Sequence, residues 1–204
     1  MSADSQITAA IDILGRGGVV LLPTDTVYGL AVSPEYPSAI EKLYAMKRRP
    51  PRLNLPVMVD SAASLRRLGV VINASADRLL TSSLVPGALT LALEVQASLA
   101  PKWLAGRDEV AVRIPDDERL LSILRGVGPL LVTSANAHGL ATPDHLAGAL
   151  AQLDGEPDLA IDGGCLPVVP STLVNCRHDP PLVEREGAIP AVTIEKELRC
   201  PTTN

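Results

Sequence analysis

A dense group of basic residues lies in the segment KRRPPRLNLPV, which runs from position 47 to 57. Lys47, Arg48, Arg49 and Arg52 cluster around two consecutive prolines, although the whole chain has a formal net charge of -5. The prolines restrict the backbone and therefore limit where the cationic side chains can point. Rigidly held cations suit a polyphosphate ligand. For Arg48 we favour a simpler explanation, a cation that complements the dipole of a helix C-terminus.

Hydroxyl-bearing turns follow apolar segments at three places in the chain. They are PTDTVYGL (23–30), TSAN (133–136) and PSTLVN (170–175). The ends of strands are where α/β sheets place their ligands, so Thr26, Ser134, Asn136 and Ser171 are candidates for a polar pocket. Taken singly, each of these turns also has an ordinary structural explanation, such as the capping of backbone amides.

Several other chemistries lack their sequence patterns. There is no GxxxxGK[ST] loop, and GRGGVV (15–20) has valine where the dinucleotide fingerprint requires glycine. The three histidines lack metal-ligand spacing and the three cysteines lack a CxxC motif, which disfavours zinc sites and disulfides and predicts a cytoplasmic location. No Ser–His–Asp or Cys–His arrangement suggests covalent catalysis. The acidic balance disfavours binding of nucleic acid by charge alone. We also expect neither a signal peptide nor a membrane-spanning segment.

Alternating helical and strand-like patterns predict a single domain over residues 1–204, with its core at about 4–198 and a frayed C-terminal tail. Helices are predicted from the N-terminus to Leu14, from Pro37 to the basic segment, and at 61–68, 74–84, 116–128, 142–153 and 190–198. Strands are predicted at 19–22, 55–59, 88–95, 110–115, 129–136, 171–176 and 181–186. This order predicts an α/β fold, on the border of α+β, with a mixed parallel and antiparallel sheet flanked by helices.

The motifs, in this order, resemble the YrdC-like family of threonylcarbamoyl-AMP synthases. The resemblance extends from about the first helix to Ile189 and includes LPVMV, VPGALTLAL, VAVRIP, DGG and REGAI as well as the three turns. Its most specific elements are the pairs Lys47/Arg49 and Ser134/Asn136. The resemblance implies a short form without an extra C-terminal domain, and a twisted sheet with a concave ligand-binding face.

The resemblance also implies a reaction and its residues. L-threonine, bicarbonate or CO2, and ATP would give threonylcarbamoyl-AMP and pyrophosphate, a nucleotidyltransferase reaction and the first step of threonylcarbamoyl-adenosine (t6A) modification of tRNA. The implied catalytic residues are Lys47, Arg49, Ser134 and Asn136; the implied ATP-binding residues are these four with Thr142 and Arg185; the implied threonine-binding residues are Thr26, Arg113 and Ser171.

The same resemblance implies the partners of the reaction. Mg²⁺ would bind the ATP phosphates, with no protein side chain as metal ligand. The product would pass to a downstream threonylcarbamoyl transferase machinery, with at most weak tRNA binding and no membrane. We further expect Lys47→Ala and Arg49→Ala to lower adenylate formation at least about tenfold without loss of the fold, because both residues are expected in a solvated loop.

Departures from the family pattern bear on amino-acid selectivity, and two alternative functions stand beside the resemblance. Some members have His in place of Met58 and Thr in place of Glu109, and an Asn-Pro step is missing at Leu53 and Asn54. One alternative is a carbamoyltransferase module that acts through carbamoyl adenylate. The other is a non-enzymatic RNA-binding module of the same fold.

Overall fold

One mixed sheet organises the molecule in the computed structural model, which describes residues 2–51 and 53–199. Within those ranges the sheet has nine strands, in the order β7-β1-β2-β6-β3-β5-β4-β8-β9. The strands are β1 Val20–Leu22, β2 Gly29–Val32, β3 Val57–Met58, β4 Leu89–Glu94, β5 Glu109–Arg113, β6 Leu130–Ser134, β7 Leu159–Ala160, β8 Thr172–Asn175 and β9 Leu182–Arg185. Arg52 of the basic segment and the tail from Cys200, which was predicted to fray, lie outside the described residues.

Helices flank this sheet, as the sequence predicts. They are α1 Ala3–Leu14, α2 Pro37–Lys47, α3 Ala62–Arg66, α4 Ala74–Thr81, α5 Glu118–Val127, α6 Leu146–Gln152 and α7 Ala191–Arg199, with a short 3-10 helix at Lys102–Leu104. Helix α1 packs against α5 and β1, and α4 packs against α7. None of the helices in the described part of the chain is long and apolar enough to span a membrane.

The core is built from aliphatic side chains, since the chain contains no phenylalanine. Strand β1 is buried at every position, and β4 is buried at all but its last residue, which explains why both read as continuous apolar runs. Tyr28 is a fully buried exception. Its hydroxyl donates to the carbonyl of Gly164 at 2.7 Å and accepts from the amide of Gly163 at 2.9 Å, which ties the DGG segment to the start of β2.

The register of the sheet brings the predicted site residues into line. Ser134 at the end of β6 lies opposite Gly29 at the start of β2. Arg113 at the end of β5 lies between Met58 of β3 and Thr90 of β4. Residues that are far apart in the sequence therefore meet on one part of the sheet.

Three elements differ from the sequence predictions. The sequence predicts the residues of strand β2 as part of a ligand-binding turn. It does not predict strand β7, because two residues are too few to show a periodic pattern. Helix α6 begins at Leu146, four residues later than predicted from Thr142. The Asp144 carbonyl accepts a 2.8 Å hydrogen bond from the amide of Leu166, and this contact helps to keep the preceding residues out of the helix.

We predict that Thr172→Val lowers the free energy of unfolding by about 2 to 4 kcal/mol. The fully buried Thr172 hydroxyl donates to the carbonyl of Ile189 at 2.6 Å and accepts from the amides of Gly187 and Ile189 at 2.9 and 3.1 Å. Valine preserves the shape of the side chain but leaves these groups without that partner. Urea denaturation measures the loss.

The matched control is Thr8→Val, which removes an exposed threonine hydroxyl on α1. We expect this variant to differ from the original chain by less than about 0.5 kcal/mol. Equal effects of the two substitutions would show that the buried hydroxyl has no special role.

Candidate active site

A cleft of about 520 Å³ opens on the sheet where β5, β6 and β8 meet the loops before β2 and after α2. Seven of the nine predicted site residues line it: Thr26, Arg49, Arg113, Ser134, Thr142, Ser171 and Arg185. The other two, Lys47 and Asn136, lie behind the lining. The cleft therefore gathers side chains from segments that are far apart in the sequence.

Arg113 is the most deeply buried cation of the lining, with 4% of its surface exposed. Its Nη1 donates to Thr26 Oγ1 at 2.7 Å and its Nε donates to the Gly87 carbonyl at 2.9 Å. Arg113 is therefore not an ordinary surface cation on a strand. The side chain is held in one orientation before any ligand binds.

Asp25 is the counter-ion of Arg113. Its Oδ1 lies 2.7 Å from Arg113 Nη2, close enough for an ion pair. The two atoms are not aligned as a hydrogen bond, and neither has a hydrogen-bond partner within residues 2–51 and 53–199. Burial lowers the pKa of Arg113, and the negative charge of Asp25 opposes that shift. The guanidinium therefore keeps donor capacity for a ligand carboxylate.

The turn that presents Thr26 is built by the preceding threonine. The Thr24 hydroxyl accepts hydrogen bonds from the amides of Thr26 and Val27, both at 3.1 Å, and donates to the Val27 carbonyl at 2.7 Å. The structural explanation of this turn, the capping of backbone amides, therefore applies to Thr24. Thr26 is left to contact Arg113 and the cleft.

A second polar group borders the cleft at the start of β8. The hydroxyls of Ser171 and Thr90 lie 2.7 Å apart, and Arg185 donates from Nη2 to the Ser171 carbonyl at 2.8 Å. Thr90 was not among the predicted site residues. It faces the cleft at an alternate position of β4, in the middle of an apolar run that masks its role.

Lys47 does not lie in a solvated loop, and that expectation is wrong. It is the last residue of α2 and only 1% exposed. Its ammonium group donates to the carbonyl of Asn136 at 2.6 Å and makes a short hydrogen bond to the carbonyl of Ser134. Burial, and to a smaller extent the charge of Arg49, lowers the pKa of Lys47 to about 8.

The TSAN turn is completed by its own side chains. Ser134 Oγ donates to Asn136 Oδ1 at 2.5 Å, while Asn136 Nδ2 donates to the Leu140 carbonyl at 2.7 Å. Asn136 is 8% exposed and thus shapes the turn from behind, whereas Ser134 is half-buried and lines the cleft. In each of the pairs Lys47/Arg49 and Ser134/Asn136, one residue is therefore buried behind the cleft and the other lines it.

The cations of the basic segment also differ in whether they line the cleft. Arg49 lines the cleft and its Nη2 donates to the Asn54 carbonyl at 3.1 Å. Arg48 caps α2 in the left-handed conformation, with φ of 50°, and its Nε lies 3.2 Å from a carboxylate oxygen of Asp154. The helix-end explanation is confirmed for Arg48.

Strand β5 and the residues just before it contribute side chains to the cleft, and most of these were not predicted as site residues. Arg107, Glu109, Ala111 and Arg113 alternate in the sequence and all line the cleft. The period of two from Arg113 was the signal that could have found Arg107. Glu109 forms a short ion pair with Arg177, which follows β8. Over residues 2–51 and 53–199, no group of three His, Cys, Asp or Glu side chains is placed to hold a metal ion.

The family model Sua5_yciO_yrdC, with the description "Telomere recombination", matches residues 12–187. The chain belongs to this family. It is 35% identical to the threonylcarbamoyl-AMP synthase of Bacillus subtilis over 195 residues, which cover 94% of this chain and 56% of that one. The chain thus spans little more than half the length of that relative.

Solved structures agree with the Sua5/YciO/YrdC assignment. Pyrococcus abyssi Sua5 complexed with L-threonine superposes with a TM-score of 0.86 at 30% identity, covering 98% of this chain and 58% of that one. Escherichia coli YciO superposes with a TM-score of 0.78 at 27% identity, covering 92% of this chain and 91% of that one. The mixed sheet flanked by helices is the fold of this family.

We predict that Lys47→Met in this Sua5/YciO/YrdC family member lowers the free energy of unfolding by about 2 to 4 kcal/mol, because two carbonyls of the TSAN turn lose a charged donor. Arg49→Ala is the comparison within the same segment, and its half-buried side chain leads us to expect a loss below about 1 kcal/mol. Thermal and urea unfolding measure both. Equal stability of the two variants would contradict the burial of Lys47.

The lowered pKa of Lys47 predicts that the difference in stability between the original chain and Lys47→Met depends on pH. The folded-state pKa of about 8 lies below the ordinary lysine value of 10.5, so the unfolded chain binds more protons between these two values. The stability of the original chain should therefore rise relative to Lys47→Met over that window, by about 1 to 2 kcal/mol between roughly pH 7.5 and 9.5. A constant difference across this range would indicate an unshifted lysine.

Proposed function

We propose that this chain is a threonylcarbamoyl-AMP synthase, which condenses L-threonine, bicarbonate or CO2, and ATP and releases pyrophosphate. The observation that carries the proposal is the cleft itself, where a buried arginine with free donor capacity shares one cavity with Arg49 and Ser134. The relation to the B. subtilis synthase and to Sua5 complexed with L-threonine supports it.

The amino-acid end of the cleft is assigned to Arg113, Thr26 and Ser171. A guanidinium is a planar, bidentate partner for a carboxylate, and burial strengthens the pairing. Asp25 keeps the guanidinium oriented while the cleft is empty. Met58 also lines this end, opposite Arg113 in the sheet register, so its thioether would face the amino-acid side chain and contribute to selectivity.

The nucleotide is assigned to Arg49, Ser134, Thr142 and Arg185. In this reaction a carbamate oxygen attacks the α-phosphorus, a new P–O bond forms, and the bond to the β-phosphate breaks with its electron pair leaving on pyrophosphate. No protein nucleophile is needed, so catalysis consists of positioning and charge stabilisation. Mg²⁺ would enter with ATP on phosphate oxygens and water, its usual coordination.

Lys47 and Asn136 have positioning roles in this proposal. The ammonium of Lys47 orients the TSAN turn through two carbonyls, and the Asn136 side chain orients the Ser134 hydroxyl. Their loss would displace Ser134 and not remove a direct contact with the nucleotide. We also propose transfer of the product to a downstream threonylcarbamoyl transferase that acts on tRNA, and a cytoplasmic location remains a prediction from the cysteine pattern.

The decisive experiment incubates the purified chain with labelled bicarbonate, MgATP and each amino acid in turn, and separates the products. We expect labelled threonylcarbamoyl-AMP and pyrophosphate only with threonine, and at least an about tenfold lower rate for Arg49→Ala. Thr8→Val, on the exposed face of α1, should match the original chain.

Other outcomes would assign the chain elsewhere. ATP–pyrophosphate exchange that depends on carbamoyl phosphate and not on threonine would favour the carbamoyltransferase module. Tight binding of duplex RNA at physiological salt without ATP consumption would favour the RNA-binding module. An adenylate formed with another amino acid would correct the substrate and retain the reaction type.

A further inference from the structure

Arg107 places a guanidinium in the wall of the cleft. It lies between the 3-10 helix and β5, its side chain is half-buried, and it lines the same cavity as Arg49 and Arg113. Its Nη1 atom is shielded from solvent, yet it finds no hydrogen-bond partner among residues 2–51 and 53–199. An unsatisfied buried donor is costly, and such groups persist where a ligand completes them.

The surroundings of Arg107 do not neutralise it. Asp108 is adjacent in the sequence, but neither Asp108 nor Glu109 forms an ion pair with Arg107 within residues 2–51 and 53–199, and Glu109 is paired with Arg177. Burial lowers the pKa of Arg107, and the neighbouring Tyr44 only partly offsets this effect. Four arginines and a single glutamate line the cleft, so an anion that enters it meets an excess of positive charge.

The position of Arg107 separates it from the amino-acid end. Arg107 and Arg113 are six positions apart in the sequence, which corresponds to at most roughly 20 Å at the rise of a strand. Tyr44, the neighbour of Arg107, donates from its hydroxyl to the Leu53 carbonyl at 2.7 Å. The Nε of Arg49 approaches the same carbonyl at 3.5 Å. Arg49 and Arg107 both line the cleft, and their shared link to Tyr44 and the Leu53 carbonyl points to the same end of it.

The proposed reaction assigns a ligand group to that end. With the threonine carboxylate at Arg113, the carbamate approaches the α-phosphate from the Arg113 side. In-line displacement sends the leaving group away from the attacking oxygen. We propose that Arg107 is a second anion-binding residue of the cleft, which, together with Arg49, binds the β- and γ-phosphates of ATP and the pyrophosphate they become. This inference rests on the proposed function.

The test measures binding of pyrophosphate and of AMP by calorimetry for the original chain, Arg107→Met and Arg66→Met. Arg66 is exposed, lies outside the cleft, and pairs with Asp77, so its variant matches the charge change. We expect pyrophosphate affinity to fall at least about tenfold in Arg107→Met alone, the loss of one charge-assisted contact. AMP affinity should stay the same in all three proteins.

Thermal unfolding distinguishes a ligand-binding role from a structural one. Because the Nη1 group of Arg107 has no hydrogen-bond partner within the described part of the chain, Arg107→Met should melt at the same or a higher temperature than the original chain. A clear drop in melting temperature would assign Arg107 a structural role and overturn the inference. Unchanged pyrophosphate affinity, or an equal loss for AMP, would overturn it as well.

The adenylate assay separates this inference from the proposed function. If the original chain forms the adenylate and Arg107→Met binds pyrophosphate normally, the role of Arg107 is wrong and the function stands. If pyrophosphate binding depends on Arg107 but no adenylate forms with any amino acid, the function is wrong and Arg107 remains an anion-binding residue. If the original chain has no affinity for pyrophosphate, the inference fails.

Discussion

The ammonium group of Lys47 connects the two parts of the molecule on which the site depends. It ends α2, where the basic segment begins, and it donates to two carbonyls of the turn that ends β6. A charged donor in a shielded environment forms strong hydrogen bonds, and its removal would leave two buried carbonyls short of a partner. The position of Arg49 relative to Ser134 follows from this contact, because each lies within two residues of it.

The cleft is positively charged in a protein whose net charge is negative. Its arginines differ in how they are compensated. Arg113 has Asp25 as a counter-ion, Arg185 donates to the Ser171 carbonyl, and Arg107 has no partner among residues 2–51 and 53–199. An anionic ligand would therefore supply the hydrogen-bond partner that Arg107 Nη1 lacks among the described residues. Binding of such a ligand would also stabilise the folded state.

On each side of the cleft, some residues support the backbone from behind and others line the cavity. Lys47 and Asn136 lie behind the lining and donate to backbone carbonyls. Arg49, Ser134 and Thr26 line the cavity and also hydrogen-bond to the Asn54 carbonyl, Asn136 Oδ1 and Arg113 respectively. Supporting residues of this kind keep the contacting groups within the narrow geometry that catalysis by positioning requires. Substitution of either group should lower the proposed activity, and substitution of the buried Lys47 should also lower stability.

The sequence by itself determined the order of most strands and helices along the chain, the mixed sheet and seven of the residues that line the cleft, because apolar runs, capping residues and motif order are local patterns. It did not reveal that Lys47 is buried, that Asp25 faces Arg113, or that Arg107 lacks a partner in the described part of the chain. The partners of Lys47 are 87 and 89 residues away along the chain, and Asp25 and Arg113 are similarly distant. Only the tertiary structure decides such contacts, since burial and pairing of a charge depend on which distant backbone groups the fold brings within hydrogen-bond distance.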